Sequence, residues 1–320
     1  MKKIALEEHF LIPELEKYIE ETYQNINANL ASKAVPSLLE IDGKRLETME
    51  QCGIDFSVLS IAGPGVQIEE NRALASLLAK KANDDLANIM ASHTGKFGGM
   101  AHLAMQNPEQ AADELERCIT ELGFQGAMIN GQTLGIYLDN PVNEVFWERA
   151  AALKAPVYIH PGNPTAKHVT YEGYEGLWGP FWSWGVETAT HALRLMLSGV
   201  FERHQDARII LGHMGEMLPY FMWRFDSRLA ISRHSEPTLS HAPSHYLKNN
   251  VFCTTSGVSD LAPLRCAMEN LGENNIMFST DYPFENAKEA SDWIEGVDIT
   301  YEQKEKICAL NAMELLCNMS

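Results

Sequence analysis

Short runs of apolar and β-branched residues alternate with longer amphipathic stretches along this chain. Runs of this kind are typical of strands buried on both faces of a parallel sheet, and we interpret eight of them as strands. The predicted strands are Ile4–Glu8, Phe56–Ala62, Phe97–His102, Gln125–Asn130, Val157–His160, Ile209–His213, Val251–Thr255 and Ile276–Thr280. The amphipathic stretches between them, most bounded by Gly, Pro, Asn or Asp, predict helices at Asn71–Met90, Pro108–Glu121, Val142–Leu153, Val186–Gly199, Leu261–Leu271, Ala287–Glu295 and Tyr301–Cys317.

Eightfold alternation of strand and helix is the pattern of a closed parallel (β/α)8 TIM barrel, in the α/β class. An open doubly wound sheet is the alternative. The barrel is favoured because no GxGxxG follows the first strand and polar residues close nearly every strand. We therefore predict a single domain over residues 1–320.

Two predicted connections are long, namely residues 10–54 and residues 161–207 after the fifth strand. The second contains YEGYEGLWGPFWSWG, which is rich in Gly and aromatic residues. This segment is either an ordered flap over the barrel mouth or an oligomer contact, and the sequence does not decide between them.

Composition narrows the possible partners. The formal net charge of −18 argues against nucleic acid, because that affinity comes from clustered Lys and Arg. No apolar run is long enough for a membrane span, and the N-terminal apolar run is broken by Glu7 and Glu8 before a signal-peptide core could form. The six cysteines are dispersed without a CxxC pair, which favours reduced thiols and a cytoplasmic location.

Polar residues with metal-binding side chains close several of the predicted strands. Glu7 and His9 end the first strand on the same face, since side chains alternate with a period of two. His160 ends the fifth strand, and Asp281 follows the eighth. One ExH pair alone favours a structural role, but a barrel would bring all four residues to the face where barrel enzymes place their chemistry. Two imidazoles and two carboxylates suit one divalent metal such as zinc, manganese or iron.

His213 closes the sixth strand and has Glu216 one helical turn later. His213 could be a fifth ligand, but Glu216 is placed to orient and polarise it, which favours an acid/base role. Arg224 follows His213 at a spacing of 11 that roughly preserves helix face; it could bind a substrate carboxylate or form an ordinary surface ion pair. Asn130 stands where a binuclear site would commonly hold a bridging carboxylated lysine, so one metal is expected.

Several motifs together resemble those of the amidohydrolase superfamily, within it the non-oxidative aromatic decarboxylases of the aminocarboxymuconate-semialdehyde decarboxylase group. The resemblance runs from the first strand to the last helix and includes KIALEEHF, LGFQGAMING, VYIHPGNP, IILGHMGEMLPYFMWRFD and IMFSTDYPFENAKEASDWI. LGHMGE and STDYPFE are its most specific pieces, and γ-resorcylate and 2,3-dihydroxybenzoate decarboxylases carry the most similar motifs.

The resemblance implies residue roles. Glu7, His9, His160 and Asp281 match the metal ligands, His213 with Glu216 matches the catalytic histidine and its partner, and Arg224 and Phe284 match substrate-contacting positions. The implied reaction is decarboxylation of an ortho-hydroxybenzoate to a phenol and carbon dioxide, with one divalent metal, Zn or Mn, and no organic cofactor. Either Asp281 or His213 could protonate the ring.

Two other functions use the same residues differently. A mononuclear hydrolase of a lactone or amide would need the same ligands but not aromatic walls and a cation for a carboxylate. A catalytically silent barrel acting as a binding subunit predicts gaps in the ligand set, and the sequence has none. The small aromatic carboxylate is the expected partner, and the family and the aromatic-rich insertion suggest a homodimer or homotetramer.

Overall fold

The computed structural model describes residues 1–24, 26, 28–231 and 239–319. Its strands are β1 Ile4–Phe10, β2 Phe56–Ile61, β3 Phe97–His102, β4 Gly126–Asn130, β5 Val157–His160, β6 Ile209–Leu211, β7 Val251–Thr254 and β8 Ile276–Met277. The α-helices of these ranges are α1 Glu16–Gln24, α2 Ala28–Leu39, α3 Lys44–Cys52, α4 Arg72–Ser92, α5 Pro108–Thr120, α6 Glu144–Ala152, α7 Ser183–Leu197, α8 Val200–Arg203, α9 Leu218–Leu229, α10 Pro243–Asn250, α11 Leu261–Asn270, α12 Ala287–Gly296, α13 Tyr301–Glu305 and α14 Asn311–Leu315.

The eight strands form one parallel sheet in the order β1 to β8. Every neighbouring pair is parallel, as right-handed crossovers through helices require. The segment after β8 returns to β1, where Glu8 pairs with Tyr282 and the His9 amide donates to the Tyr282 carbonyl at 2.8 Å. The architecture is the predicted (β/α)8 barrel.

Two features hold the helices on this barrel. Polar side chains cap the helix N-termini, and apolar side chains are buried between the helices and the strands. Asn71, Asn107, Asp260 and Asn286 each accept a backbone N–H at the start of a helix, and Thr300 forms a capping box with Gln303. The main apolar cluster lies between the strands and these helices. The barrel wall therefore owes its position to packing on both sides.

A second apolar cluster fills the barrel interior. Its members include one inward side chain from nearly every strand, namely Ile4, Val58, Met100, Met128, Tyr158, Ile210 and Met277. Residues of the C-terminal segment, Ala309, Ala312 and Leu316, pack against the same cluster. The interior is thus packed at one end, and the polar strand ends occupy the other.

The last predicted helix differs in detail from the structure. Its sequence packs against the barrel as expected, but a π-helical turn at Lys306–Leu310 separates α13 from α14. Four strands also end earlier than predicted: β2 and β7 by one residue, β6 at Leu211 and β8 at Met277. Gly212 and His213 follow β6, and the buried Phe278 follows β8. After it, Ser279 and Thr280 hydrogen-bond to Glu7 and Glu8 of β1.

The described parts of the two long connections contribute residues to the mouth of the barrel. The first, after β1, forms α1, α2 and α3, and the second, after β5, holds short 3-10 turns before α7 and α8. No helix among the described residues is long and apolar enough to cross a membrane.

Candidate metal centre and active-site cavity

Four of the predicted site residues meet at the carboxyl ends of β1, β5 and β8. Glu7 and His9 are fully buried, and His160 and Asp281 are nearly so. Glu7 Oε1 lies 3.5 Å from His160 Nε2 and 4.0 Å from His9 Nε2. Asp281 Oδ1 lies 3.4 Å from His9 Nε2. Residues far apart in sequence are therefore brought within ligand distance of one another by the closure of the barrel.

The ligand atoms of Glu7, His9 and His160 all lie within 4.8 Å of one another. Glu7 Oε1 and His9 Nε2 are buried without a hydrogen-bond partner, which is costly for polar atoms unless something else satisfies them. Two ligands that share one ion with bonds of about 2.1 Å stand roughly 3–4 Å apart, as these atoms do. A divalent cation fits this donor set.

The two histidines are held in the form that a cation requires. His160 Nδ1 donates to the Pro161 carbonyl at 2.8 Å, which leaves Nε2 as a free acceptor. Burial lowers the pKa of His160 to about 3, so the ring is neutral. Ser60 Oγ lies 3.2 Å from His9 Nδ1 and fixes that ring in a similar way.

Glu7 and its neighbour Glu8 have different environments, as the period of two predicts. Burial raises the pKa of Glu7, whose free oxygen faces the two histidines. Glu8 points away from them and accepts hydrogen bonds from the Thr280 amide and hydroxyl, both at 2.8 Å. Burial raises the pKa of Glu8 to about 7, and its contacts tie β1 to the end of β8. Glu8 is structural.

His213 and Glu216 lie in a left-handed turn. His213, Met214, Gly215, Glu216 and Met217 have φ angles of 51°, 57°, 80°, 50° and 68°, so these residues are not a right-handed helix. The turn places His213 Nδ1 at 2.7 Å from Glu216 Oε1.

The other ring nitrogen of His213 faces Asp281. His213 Nε2 lies 3.7 Å from Asp281 Oδ2. Burial opposes a charge on His213, but the Glu216 and Glu7 carboxylates outweigh it and raise its pKa well above the ordinary value. Burial likewise opposes a charge on Asp281, yet contacts with His213 and His9 lower its pKa. These contacts therefore favour the protonated form of His213 and the ionised form of Asp281.

A cavity of about 520 Å³ opens above these groups. His160, His213, Glu216 and Asp281 form its floor. The walls are largely aromatic and apolar: Tyr23, Leu30, Pro180, Phe181, Trp182, Trp184, Met217, Val258 and Phe284. A volume and lining of this kind suit a small aromatic ligand.

Phe284 is one of the walls predicted to contact substrate. Its ring meets His9 edge to face with 5.6 Å between centroids, and Tyr23 in the same way at 5.7 Å. The aromatic-rich segment after β5 contributes four of the wall residues, so it covers the cavity as a flap.

Arg224 is not placed at the cavity. It lies on α9 with an exposed side chain and does not line the cavity of its own chain. The prediction assumed one continuous helix from His213, so that a spacing of 11 would preserve the face. The left-handed turn through Met217 breaks that geometry, and α9 begins with a new orientation at Leu218.

Three hydroxyl residues at the site were missed by the sequence analysis. Tyr158 and Ser256 both donate to Glu7 Oε2, and Thr254 Oγ1 lies 2.8 Å from the Tyr158 hydroxyl. The signal for Tyr158 was present, because it precedes His160 by two residues on the same strand face. Serine and threonine at the end of β7 carry no comparable signal.

His102 and His168 do not line the cavity. His102 is buried and accepts the Val66 amide at 3.0 Å, and the exposed His168 bonds to Thr170. Asn130 ends β4 beside His160. The expectation of one metal, drawn from the absence of a lysine at this position, stays a prediction.

The comparisons with known proteins point in one direction. The model of the amidohydrolase family matches residues 34–316. The γ-resorcylate decarboxylase of Polaromonas sp. is 41% identical, with 98% of each chain covered. The solved 2,6-dihydroxybenzoate decarboxylase of Rhizobium superposes with a TM-score of 0.91 at 39% identity, covering 98% of both chains.

A dihydroxybenzoic acid decarboxylase from Polaromonas sp., solved with bound manganese and the inhibitor 2-nitroresorcinol, gives a TM-score of 0.90 at 39% identity. It covers 98% of this chain and 96% of that one. The barrel, the buried ligand cluster and these full-length similarities lead to one assignment: the chain belongs to the amidohydrolase family.

Proposed function

We propose that this protein is a metal-dependent, non-oxidative decarboxylase of an ortho-hydroxybenzoate, and that its substrate is γ-resorcylate (2,6-dihydroxybenzoate) or 2,3-dihydroxybenzoate. The observation that carries the proposal is the juxtaposition of the unpartnered Glu7 and His9 ligand atoms with the His213–Asp281 pair under an aromatic-walled cavity. Decarboxylases that match the chain over its whole length support the reaction type, so the chain is a carboxy-lyase.

Glu7, His9, His160 and Asp281 would hold one divalent metal, which when bound supplies a positive charge for the carboxylate and the adjacent phenolic oxygen of the substrate. Manganese is bound in a relative of known structure, and the mixed nitrogen and oxygen donors also suit zinc. We propose manganese or zinc as the metal and no organic cofactor.

The protein's own groups would manage one proton per turnover. The carbon that bears the carboxylate accepts a proton, the bond to the carboxylate breaks, and its electron pair restores the aromatic ring as carbon dioxide leaves. His213 Nε2 and Asp281 Oδ2 are 3.7 Å apart at the cavity floor, so either could deliver the proton while the other holds the phenol proton. Glu216 would keep the His213 ring oriented and charged.

The cavity walls would hold the ring flat against this floor. Phe284 and Tyr23 meet edge to face on one side, and the flap residues Trp182 and Trp184 lie on another. We do not assign the substrate carboxylate to Arg224, because its side chain is exposed on α9. A hydrolase acting on a lactone or amide has no comparable need for aromatic walls.

The first test is a substrate panel. Protein loaded with manganese or zinc is incubated with 2,6-dihydroxybenzoate, 2,3-dihydroxybenzoate and salicylate, and products are separated by chromatography. We expect one dihydroxybenzoate to yield its phenol, with turnover abolished by a chelator and restored by metal. Failure on all three substrates by protein that binds metal stoichiometrically would refute the decarboxylase.

A second test assigns the proton. Asp281→Asn and His213→Asn are compared for metal content and for deuterium incorporation into the product in D2O. The variant that keeps its metal but loses turnover by roughly 10²–10⁴-fold identifies the donor. Full turnover by metal-loaded Asp281→Asn would remove Asp281 from the proton path.

We further propose that the chain acts as one domain, as a homodimer or homotetramer in the cytoplasm. Phe181, Tyr220 and Trp223 are 79%, 79% and 76% exposed around the cavity mouth and on α9, and large aromatic side chains of this kind are common at subunit contacts. All six cysteines are free, as a reducing compartment allows. Sedimentation at several protein concentrations measures the subunit number.

A further inference from the structure

The second carboxylate oxygen of Glu7 is enclosed by hydroxyl groups. Glu7 Oε2 accepts hydrogen bonds from Tyr158 and Ser256. Thr254 Oγ1 lies 2.8 Å from the Tyr158 hydroxyl and 3.0 Å from Ser256 Oγ. The side chains of Tyr158, Thr254 and Ser256 are buried, so water does not compete with these contacts. We call these three residues the hydroxyl cradle.

The protons of the cradle can be assigned from its contacts. Ser256 Oγ accepts the His213 amide at 3.2 Å and donates its own proton to Glu7. Tyr158 also donates to Glu7, and Thr254 donates to one of the two hydroxyls. Two donors on one oxygen fix the orientation of the Glu7 carboxyl group.

The same arrangement leaves the first oxygen free. Glu7 Oε1 has no hydrogen-bond partner and faces His9 and His160. The hydroxyl contacts at Oε2 therefore leave Oε1 as the oxygen that Glu7 presents to the two histidines. The Gly212 position is part of the enclosure, since a Cβ there would stand 2.7 Å from Glu7 Oε2 and 3.0 Å from Ser256 Oγ.

We infer that Tyr158 and Ser256 are positioning residues for the metal, which set the affinity of the site through Glu7, and that Ser256 couples Glu7 to the backbone of His213. The inference rests on the proposed metal site. Partners of metal ligands typically change affinity by 10–100-fold when they are removed.

The test measures the manganese dissociation constant, from the electron paramagnetic resonance signal of free Mn²⁺, for apo protein of each variant. Tyr158→Phe and Ser256→Ala each remove one donor to Glu7, and we expect roughly 10–100-fold weaker binding. Thr254→Val removes the one cradle hydroxyl that does not contact Glu7, so we expect a smaller loss of manganese affinity. Circular dichroism checks that each variant is folded, and Ser256→Ala alone suffices if Tyr158→Phe does not fold.

Tyr246→Phe is the matched control. Its hydroxyl also donates to a carboxylate, that of the half-buried Glu202, but Tyr246 lies on α10 outside the barrel, so manganese affinity should stay unchanged. Wild-type affinity in both Tyr158→Phe and Ser256→Ala would overturn the inference while leaving the metal site intact. Absence of manganese binding by the wild-type protein would overturn both.

Discussion

At this site, different atoms of the same side chain make contacts with different groups. The two oxygens of Glu7 face different groups, one the histidines and the other the hydroxyl cradle. The two nitrogens of His160 are likewise divided between the Pro161 carbonyl and the metal position. At this scale a small steric change at the right atom tests the site better than removal of a whole side chain.

Gly212→Ala is such a change. The φ angle of Gly212 is −71°, so alanine is allowed on backbone grounds and only the new methyl group acts. It would push Glu7 out of its position, and we expect manganese affinity to fall roughly 10-fold with little loss of secondary structure. Gly296→Ala is the control, because a Cβ there meets nothing within 4 Å. Equal affinities for the two variants would count against the packing described here.

The sequence predicted which residues meet at the strand ends, because eight parallel strands close into a barrel and bring their carboxyl ends to one face. It missed the cradle because hydroxyl residues are common in every environment, and only three-dimensional proximity to Glu7 distinguishes Thr254 and Ser256. The roles given to Glu7, His9, His160, Asp281, His213 and Glu216 stay predictions until the variants are measured, although the structure brings the side chains together.

Among the elements, those with regular periodicity were predicted well and those that depend on local backbone strain were not. All eight strands and the order of their connections are as predicted, with β2, β6, β7 and β8 ending earlier. A register irregularity between Ala5 and Glu8 in β1 was not foreseen. The spacing argument for Arg224 fails for the same reason, since the left-handed turn after β6 cannot be read from a pattern that assumes right-handed helices. Its role in substrate binding stays a prediction.

The flap is the element whose effect on substrate binding can be measured alone. Trp184 lines the cavity, and its indole N–H donates to Asn163 Oδ1 at 2.8 Å. Asn163→Ala removes this bond and should loosen the wall, so we expect KM for the dihydroxybenzoate to rise several-fold while metal affinity is unchanged. Lys167→Ala, which disturbs an exposed pair with Glu175 in the same segment, is the control. An unchanged KM would mean that this flap contact does not contribute to substrate binding.

At the level of the whole molecule, the proposed metal ligands come from the first and fifth strands of the barrel and from the segment after the last. A cation bound by Glu7, His9, His160 and Asp281 would therefore resist global unfolding. At 100 times its dissociation constant, a ligand specific for the folded state stabilises by about 2.7 kcal/mol. We expect Tm to rise with manganese concentration in the wild type and not in Glu7→Gln, as measured by differential scanning calorimetry. Parallel shifts in both proteins would indicate binding elsewhere.

Acid stability is a second property of the whole fold. Burial lowers the pKa of His102 to about 3, against an ordinary value of 6.5. The unfolded chain therefore takes up a proton between these values that the folded chain refuses, so stability falls as pH drops below 6.5. The slope is up to about 1.4 kcal/mol per pH unit for this group.

His102→Gln keeps an acceptor near the Val66 amide but does not titrate. Compared with the wild type, its free energy of unfolding should improve by up to about 2 kcal/mol between pH 6.5 and pH 5, as urea titrations would measure. A constant difference across that range would mean that His102 is not the group responsible.

The turn from His213 to Met217 has a consequence for how this enzyme could change over time. It is a short length of mirror-image helix, built almost wholly from residues with a β-carbon, and such a conformation costs roughly 1–2 kcal/mol per residue for L-amino acids. Selection for heat tolerance would therefore favour glycine at the exposed Met217, where the penalty vanishes and little burial is lost. The same replacement would remove a wall of the cavity and loosen the backbone that carries His213 and Glu216. Natural lineages, in which turnover is selected as well, should therefore keep Met217, whereas laboratory evolution for stability alone should find the glycine quickly, at the expense of turnover.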